Sequence, residues 1–197
     1  MIYFIVRKIM MLIYKIVYNL SYEGLENIPK EGGYIYASNH RSYADPVLIT
    51  LPVKPRFAYM AKEELFHQNI FFTAVIKMMG AFPVVRGSGD MSVIETSMEK
   101  LKSGRNLVIF PEGTRSKDGK VGRGKTGVAM IAAMAGADVI PVGIVFEGKL
   151  KFRKKVVVKY GKPVSADKIA VGEKPAPKEL RNVKQLIMQS ITELVEG

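Results

Sequence analysis

The chain has 197 residues, no cysteine and two histidines, His40 and His67. Disulfides, thiolate nucleophiles and cysteine-ligated zinc are therefore excluded, and two histidines argue against a multi-histidine metal site. A formal net charge of +12 suits an anionic lipid surface, a phosphorylated substrate or nucleic acid. With no RNA-binding aromatic signature and no zinc-finger spacing, charge alone does not make this a nucleic-acid binder.

Residues 1–20, MIYFIVRKIMMLIYKIVYNL, are apolar nearly all round, but Arg7, Lys8 and Lys15 interrupt them. No uncharged run reaches the roughly 18 residues that span a bilayer. The cations do not precede the apolar run as they do in a signal peptide. An in-plane interfacial helix fits, with aliphatic and aromatic side chains in the lipid and cations near the phosphates. A helix packed on the domain core is the alternative. The expected division is a membrane-surface helix over 1–20 and one layered domain over 21–197.

Along the rest of the chain, hydrophobic patterning predicts strands over Tyr34–Ser38, Arg56–Met60, Phe82–Val85, Leu107–Phe110, Val139–Phe146 and Val156–Tyr160. Helices are predicted over Pro46–Leu51, Lys62–Met79, Asp90–Leu101, Lys125–Ala135 and Leu180–Leu194. The basic run from Lys149 to Lys162 is broken by Val156, Val157 and Val158, so it reads as a strand and not as a disordered tail. Only residues 172–178, GEKPAPK, look like a linker. The alternation predicts an α/β fold: a single layered domain with a largely parallel sheet flanked by helices, preceded by the N-terminal helix.

Three segments carry chemistry. In Asn39-His40-Arg41-Ser42-Tyr43-Ala44-Asp45-Pro46, His40 falls between a strand end and a helix start, where α/β folds place ligand-handling residues. Pro46 suits a first helical turn, and Asp45 suits an N-cap. On one helix His40 and Asp45 would lie about 140° apart, so they pair only if the loop folds back. Asp45 would then fix the imidazole tautomer and leave the other nitrogen to accept a proton. No Gly-x-Ser-x-Gly elbow is present, so the substrate would supply the nucleophilic hydroxyl.

In Phe110-Pro111-Glu112-Gly113-Thr114-Arg115-Ser116, after a buried strand, Arg115 offers a planar fork for phosphate. Thr114 and Ser116 add hydroxyl donors. Glu112 cannot bind phosphate and is expected to orient a neighbour or a substrate hydroxyl. A surface turn with an incidental Arg is the alternative. In Gly80 to Gly87, a strand ends in Arg86, which is either an anion ligand or a solvated loop cation.

A fourth segment, Gly119-Lys120-Val121-Gly122-Arg123-Gly124-Lys125-Thr126, formally matches the P-loop pattern. A P-loop joins a buried strand directly to a helix, and here the nearest apolar strand ends near Phe110. Lys125, at the predicted helix start, could still face phosphate.

These segments together resemble the 1-acylglycerol-3-phosphate O-acyltransferase (lysophosphatidate acyltransferase) family over roughly residues 20 to 165. The family's Asn-His-x-Ser-x-x-Asp motif is met by Asn39, His40, Ser42 and Asp45. Its Gly-to-Arg motif corresponds to Gly80 through Arg86. Phe-Pro-Glu-Gly-Thr-Arg-Ser is matched from Phe110 to Ser116, and its Pro-centred strand by Val139-Ile140-Pro141-Val142. The resemblance implies His40 and Asp45 as catalytic pair. It implies an acceptor site of Arg86, Glu112, Gly113, Thr114 and Arg115, with Lys62 as a further basic position. It also implies lysophosphatidate or another phosphate-bearing glycerolipid as acceptor, and acyl-CoA or acyl-carrier protein as co-substrate. No metal, bound cofactor or nucleic acid enters. The expected place is the cytoplasmic face of an anionic membrane surface, held peripherally or monotopically. A nucleotide switch through Gly119–Thr126 and a non-enzymatic basic membrane adaptor are the competing readings.

Overall fold

Ile35-Tyr36-Ala37 and Leu107-Val108-Ile109 are uninterrupted apolar runs, and such runs belong in the middle of a parallel sheet, buried on both faces. The computed structural model, which describes residues 2–84, 91–171 and 175–197, places them there. The chain opens with helix α1 (Ile2–Val17) and strand β1 (Asn19–Glu23), then β2 (Ile35–Ser38), α2 (Asp45–Thr50), β3 (Phe57–Lys62), α3 (Ile70–Met78) and β4 (Ala81–Val84). It continues through α4 (Met91–Lys102), β5 (Asn106–Ile109), α5 (Gly127–Ala135), β6 (Val139–Val145), β7 (Lys155–Tyr160), α6 (Ala166–Ile169) and α7 (Pro177–Glu196).

Among the described residues, seven strands form one sheet in the order β1-β7-β6-β2-β5-β3-β4. The five from β6 to β4 are mutually parallel, β7 runs antiparallel to β6, and β1 is parallel to β7. The expected largely parallel α/β sheet is therefore present, and five strands end at one common edge. Ile35, Ala37, Leu107 and Ile109 pack into a layer with α4, α5 and α7. Tyr36, Val108, Ile140 and Val142 face the other way, toward α2 and Tyr14 of α1.

Several boundaries differ from the expectation, each for a local reason. The stretch 62–79 is not one helix. Lys62 ends β3, Glu63–His67 is a 3-10 turn, and α3 begins where the Asn69 side chain accepts from the backbone N–H of Phe71 (2.8 Å) and Phe72 (3.3 Å), an N-cap that restarts the chain. α5 starts at Gly127 rather than Lys125, and the Lys125 N–H donates to the Pro111 carbonyl at 2.8 Å. The linker-like stretch is partly helical: Pro177 opens α7, and Glu179 accepts from the Ala176 N–H at 2.6 Å. Residues 172–174 of that stretch, Val85 of the third predicted strand and Asp90 of the third predicted helix lie outside the described residues.

β1 has no counterpart in the expectation. Its sequence, Asn19-Leu-Ser-Tyr-Glu23, alternates exposed and half-buried positions, the pattern of an edge strand with one wet face. Pro141 sits within β6, beside Ala37 of β2. β7 leaves the sheet at that level: Tyr160 still pairs with Val142, and the Gly161 N–H donates to the Pro141 carbonyl. The missing proline N–H therefore falls at the end of a ladder, where a strand tolerates it.

α1 packs on the core along one side and leaves aliphatic side chains exposed on another. Tyr14 and Tyr18 pack on the core, and the Arg7 guanidinium donates to the carbonyls of Val53 and Lys54. Ile5, Ile9, Leu12, Ile13 and Ile16 remain exposed on the outer side. Among the described residues, no helix is long and apolar enough to cross a membrane.

Candidate active site

The site is assembled where β2 ends. Ser38 is the last strand residue, and the buried Asn39 side chain then substitutes for backbone. Its Oδ1 accepts from the Ile144 N–H at 2.8 Å, and its Nδ2 donates to the Ile144 carbonyl at 3.0 Å. The amide thus supplies one more rung toward β6 while the main chain is released to turn. His40 follows. Its N–H donates to Glu112 Oε1 at 3.0 Å, and its carbonyl accepts from the Ser116 N–H at 2.7 Å. The loop after β5 therefore holds the His40 backbone from both sides.

The chain does fold back as pairing requires. His40 Nδ1 lies 2.8 Å from Asp45 Oδ2, although Asp45 belongs to the first turn of α2. The same oxygen accepts from the N–H groups of Arg41 (2.6 Å) and Ser42 (2.7 Å). Asp45 is not the helix N-cap; that position is Ala44, with no side-chain cap. The carboxylate looks outward along the loop, and Pro46 occupies the first turn as expected. Asp45 is fully buried, and its Oδ1 has no hydrogen-bond partner among the described residues.

A carboxylate only accepts, so it assigns the Nδ1 proton and leaves Nε2 with a lone pair. The imidazole stacks on Phe110, ring centres 4.0 Å apart at 17°, which fixes its plane. Its side chain stays 14% exposed.

The second motif divides its labour. Glu112 is buried, and burial is the largest influence on its carboxyl, raising it above the ordinary carboxylate range. The N–H groups of His40 and Gly122 offset part of that effect. Glu112 thus ties the His40 backbone to the 119–125 loop. Gly113 carries a positive φ of 74°, a conformation glycine adopts without strain. Thr114 and Arg115 are exposed. The Arg115 guanidinium lies 3.7 Å over the Tyr43 ring and donates to the Tyr43 hydroxyl at 2.9 Å. It meets no carboxylate among the described residues, and the stack on Tyr43 presents its fork at the surface.

Lys62 ends β3 on the same sheet edge and pairs with Glu64 at 2.7 Å. Both side chains are well exposed, and such a pair is held weakly enough to exchange for another anion. Arg86 lies outside the described residues. His40, Asp45, Glu112, Gly113 and Arg115 therefore come together at the C-terminal edge of the parallel strands, where α/β sheets bind ligands.

Four neighbours were not assigned roles from sequence: Asn39, Tyr43 and Phe110, described above, and Arg41. The Arg41 guanidinium lies 4.0 Å over the Phe146 ring and donates to the carbonyls of Phe146 and Gly148 (3.2 Å to the latter). It clamps the β6–β7 turn beside the site. Asn39, Tyr43 and Phe110 stand within the two motifs, but their roles rest on partners far along the chain.

Gly119–Thr126 does not form a phosphate-cradling strand-to-helix loop, since β5 ends at Ile109 and the Phe110–Ser116 loop intervenes. Its glycines are explained by packing. A Cβ at Gly122 would lie 2.9 Å from Glu112 Oε2, and one at Gly124 would lie 2.5 Å from Met188 Sδ. The segment is a strap pressed over the second motif. Among the described residues, no cluster of His, Asp and Glu is placed to hold a metal ion.

A family model described as Acyltransferase matches residues 19–145. The chain is 33% identical over 174 residues to a 1-acyl-sn-glycerol-3-phosphate acyltransferase of Bacillus subtilis, covering 86% of this chain and 84% of that protein. It is 35% identical over 167 residues to one of Streptococcus pneumoniae (82% and 61%), and 36% identical over 136 residues to a chloroplastic one of Arabidopsis thaliana (68% and 38%). The chain thus spans from about two fifths to about three fifths of the length of those last two relatives. The crystal structure of the 1-acyl-sn-glycerophosphate acyltransferase PlsC from Thermotoga maritima superposes with a TM-score of 0.71 at 29% identity, over 98% of this chain and 79% of that one.

Proposed function

The chain belongs to the acyltransferase family, and from that premise we propose that it moves a fatty acyl group from a thioester to the free hydroxyl of lysophosphatidate, giving phosphatidate. The observation that carries the reading is the 2.8 Å contact between His40 Nδ1 and Asp45 Oδ2, which leaves Nε2 as a base.

In this mechanism Nε2 takes the acceptor's hydroxyl proton as the oxygen attacks the thioester carbonyl. Asp45 stabilises the imidazolium so formed. The tetrahedral intermediate collapses by breaking the C–S bond, and His40 returns the proton to the departing thiolate. Proton and electron pairs balance with no covalent acyl-enzyme, metal or bound cofactor. A positioned base of this kind contributes about 10²–10⁴-fold in rate. Arg115, Thr114 and Gly113 line the acceptor site with Lys62 and Arg86 as its further cations, and Glu112 keeps His40 in place. The donor is acyl-CoA or acyl-carrier protein. The exposed apolar face of α1 rests in the cytoplasmic leaflet of an anionic membrane, with Lys8 and Lys15 toward lipid phosphates.

The test is thioester consumption with lysophosphatidate and each donor, with product mass as readout, in wild type and His40→Ala. The variant keeps its backbone bonds to Glu112 and Ser116, so it should fold with an unchanged melting curve and lose at least 10²-fold in turnover. A folded, active His40→Ala refutes the mechanism.

A further inference from the structure

The strap over the second motif has a packing reason for its glycines but none for its lysine. The Lys125 N–H donates to the Pro111 carbonyl at 2.8 Å, which seats Lys125 alongside the Phe110–Ser116 loop. Its side chain then lies across Gly113: a Cβ built there would stand 3.1 Å from both Cε and Nζ. A flexible lysine ordinarily extends into water or toward a carboxylate. This one is exposed, yet its ammonium lies against backbone and meets no acidic group among the described residues. The absence of a side chain at position 113 is what lets it lie there.

We propose that Lys125 is a specificity-determining residue that binds the phosphate of the acceptor, opposite Arg115 across the Gly113 turn. This rests on the acyl-transfer reading above. The position selects the acceptor over the donor. Glu112, next to Gly113, holds the His40 N–H at 3.0 Å, so the ammonium lies on the same loop that fixes the backbone of the base. In lysophosphatidate only a few bonds separate the reacting hydroxyl from the phosphate, and both can reach this cluster together. The phosphates of an acyl-CoA or acyl-carrier thioester are held away from the carbonyl by the pantetheine arm. Lysine supplies a compact point charge and Arg115 a planar fork, two complementary ways of holding one phosphate.

The experiment compares wild type, Lys125→Met and Lys125→Arg. Methionine keeps the aliphatic length over Gly113 and removes the charge. The expected result is a rise in KM for lysophosphatidate of about 10- to 100-fold in Lys125→Met, the worth of a hydrogen bond to a charged group. kcat, donor KM and turnover of a neutral monoacylglycerol acceptor should change little, and Lys125→Arg should recover most of the loss. An unchanged acceptor KM in a folded Lys125→Met, or a rise confined to the donor KM, overturns the proposal.

A second readout is independent of turnover. Glycerol 3-phosphate is titrated while the amide NMR signals of Gly113 and Arg115 are followed. Saturable shifts in wild type that weaken about tenfold or more in Lys125→Met support the site; absent or unchanged binding overturns it. If wild type turns over no phosphate-bearing acceptor, the acyl-transfer reading fails, and this titration still decides whether Lys125 binds the phosphate.

Discussion

Asp45→Asn isolates the charge at the centre of the site with little change in shape. In the wild type one oxygen of Asp45 accepts from His40, Arg41 and Ser42, and the other is buried with no partner among the described residues. An asparagine oxygen can take the first position and keep the two backbone N–H groups satisfied. Its NH₂ then occupies the second position with nothing to donate to, a loss of about 1–3 kcal/mol in stability.

The effect on catalysis is separate and larger. When Nε2 takes a proton, the imidazolium and the carboxylate form a charge pair with centres about 4 Å apart, attracting by roughly 4 kcal/mol at an effective dielectric constant near 20. A neutral amide forfeits most of that. At 1.36 kcal/mol per tenfold, the loss in kcat is about 10²–10³-fold. The assay is steady-state thioester consumption beside a melting curve. kcat should fall by that factor while both KM values stay within a few-fold, because Asp45 is fully buried and touches neither substrate. A variant that melts like wild type and keeps kcat within threefold refutes the role given to Asp45.

Two further outcomes follow from burial and exposure. Glu112 has a carboxyl raised by desolvation above its ordinary 4.5, so the folded state binds its proton more readily than the unfolded chain. Its unfavourable contribution at neutral pH is relieved as pH falls through the raised value toward 4.5. Melting temperatures of wild type and Glu112→Gln across that window should show wild type gaining relative to the variant as pH drops, and a constant gap refutes it. On α1, Ile9 and Leu12 are 52% and 62% exposed, so Ile9→Asp with Leu12→Asp should leave the melting curve unchanged. If that face enters lipid, withdrawing two aliphatic side chains removes roughly 3–6 kcal/mol of transfer energy. Binding to vesicles containing phosphatidylglycerol should then fall by at least 100-fold; flotation equal to wild type refutes it.

Much of this molecule was legible in its sequence. Apolar runs such as Ile35–Ala37 and Leu107–Ile109 determine buried parallel strands, because only a strand covered on both faces can be apolar at every position. The order of His40, Asp45, the Phe110–Ser116 loop and the Pro141 strand was enough to point to the family. Other features depended on partners elsewhere. β1 escaped notice because a five-residue, half-polar edge strand has no pattern until β7 lies beside it. Within 62–79, helix-compatible residues on both sides of Asn69 concealed its capping bonds.

Spacing left the pairing of His40 with Asp45 undecided and allowed Asp45 an N-cap role. Tertiary contacts decided it. Asn39 is fixed to Ile144, 105 residues away, and the His40 N–H to Glu112, 72 residues away. Those bonds hold the loop in the turn that brings imidazole to carboxylate. The P-loop-like glycines likewise acquired their meaning only from the side chains pressed against them. Local propensity and periodicity are written along the chain; the direction a loop takes is set by groups that folding brings to it.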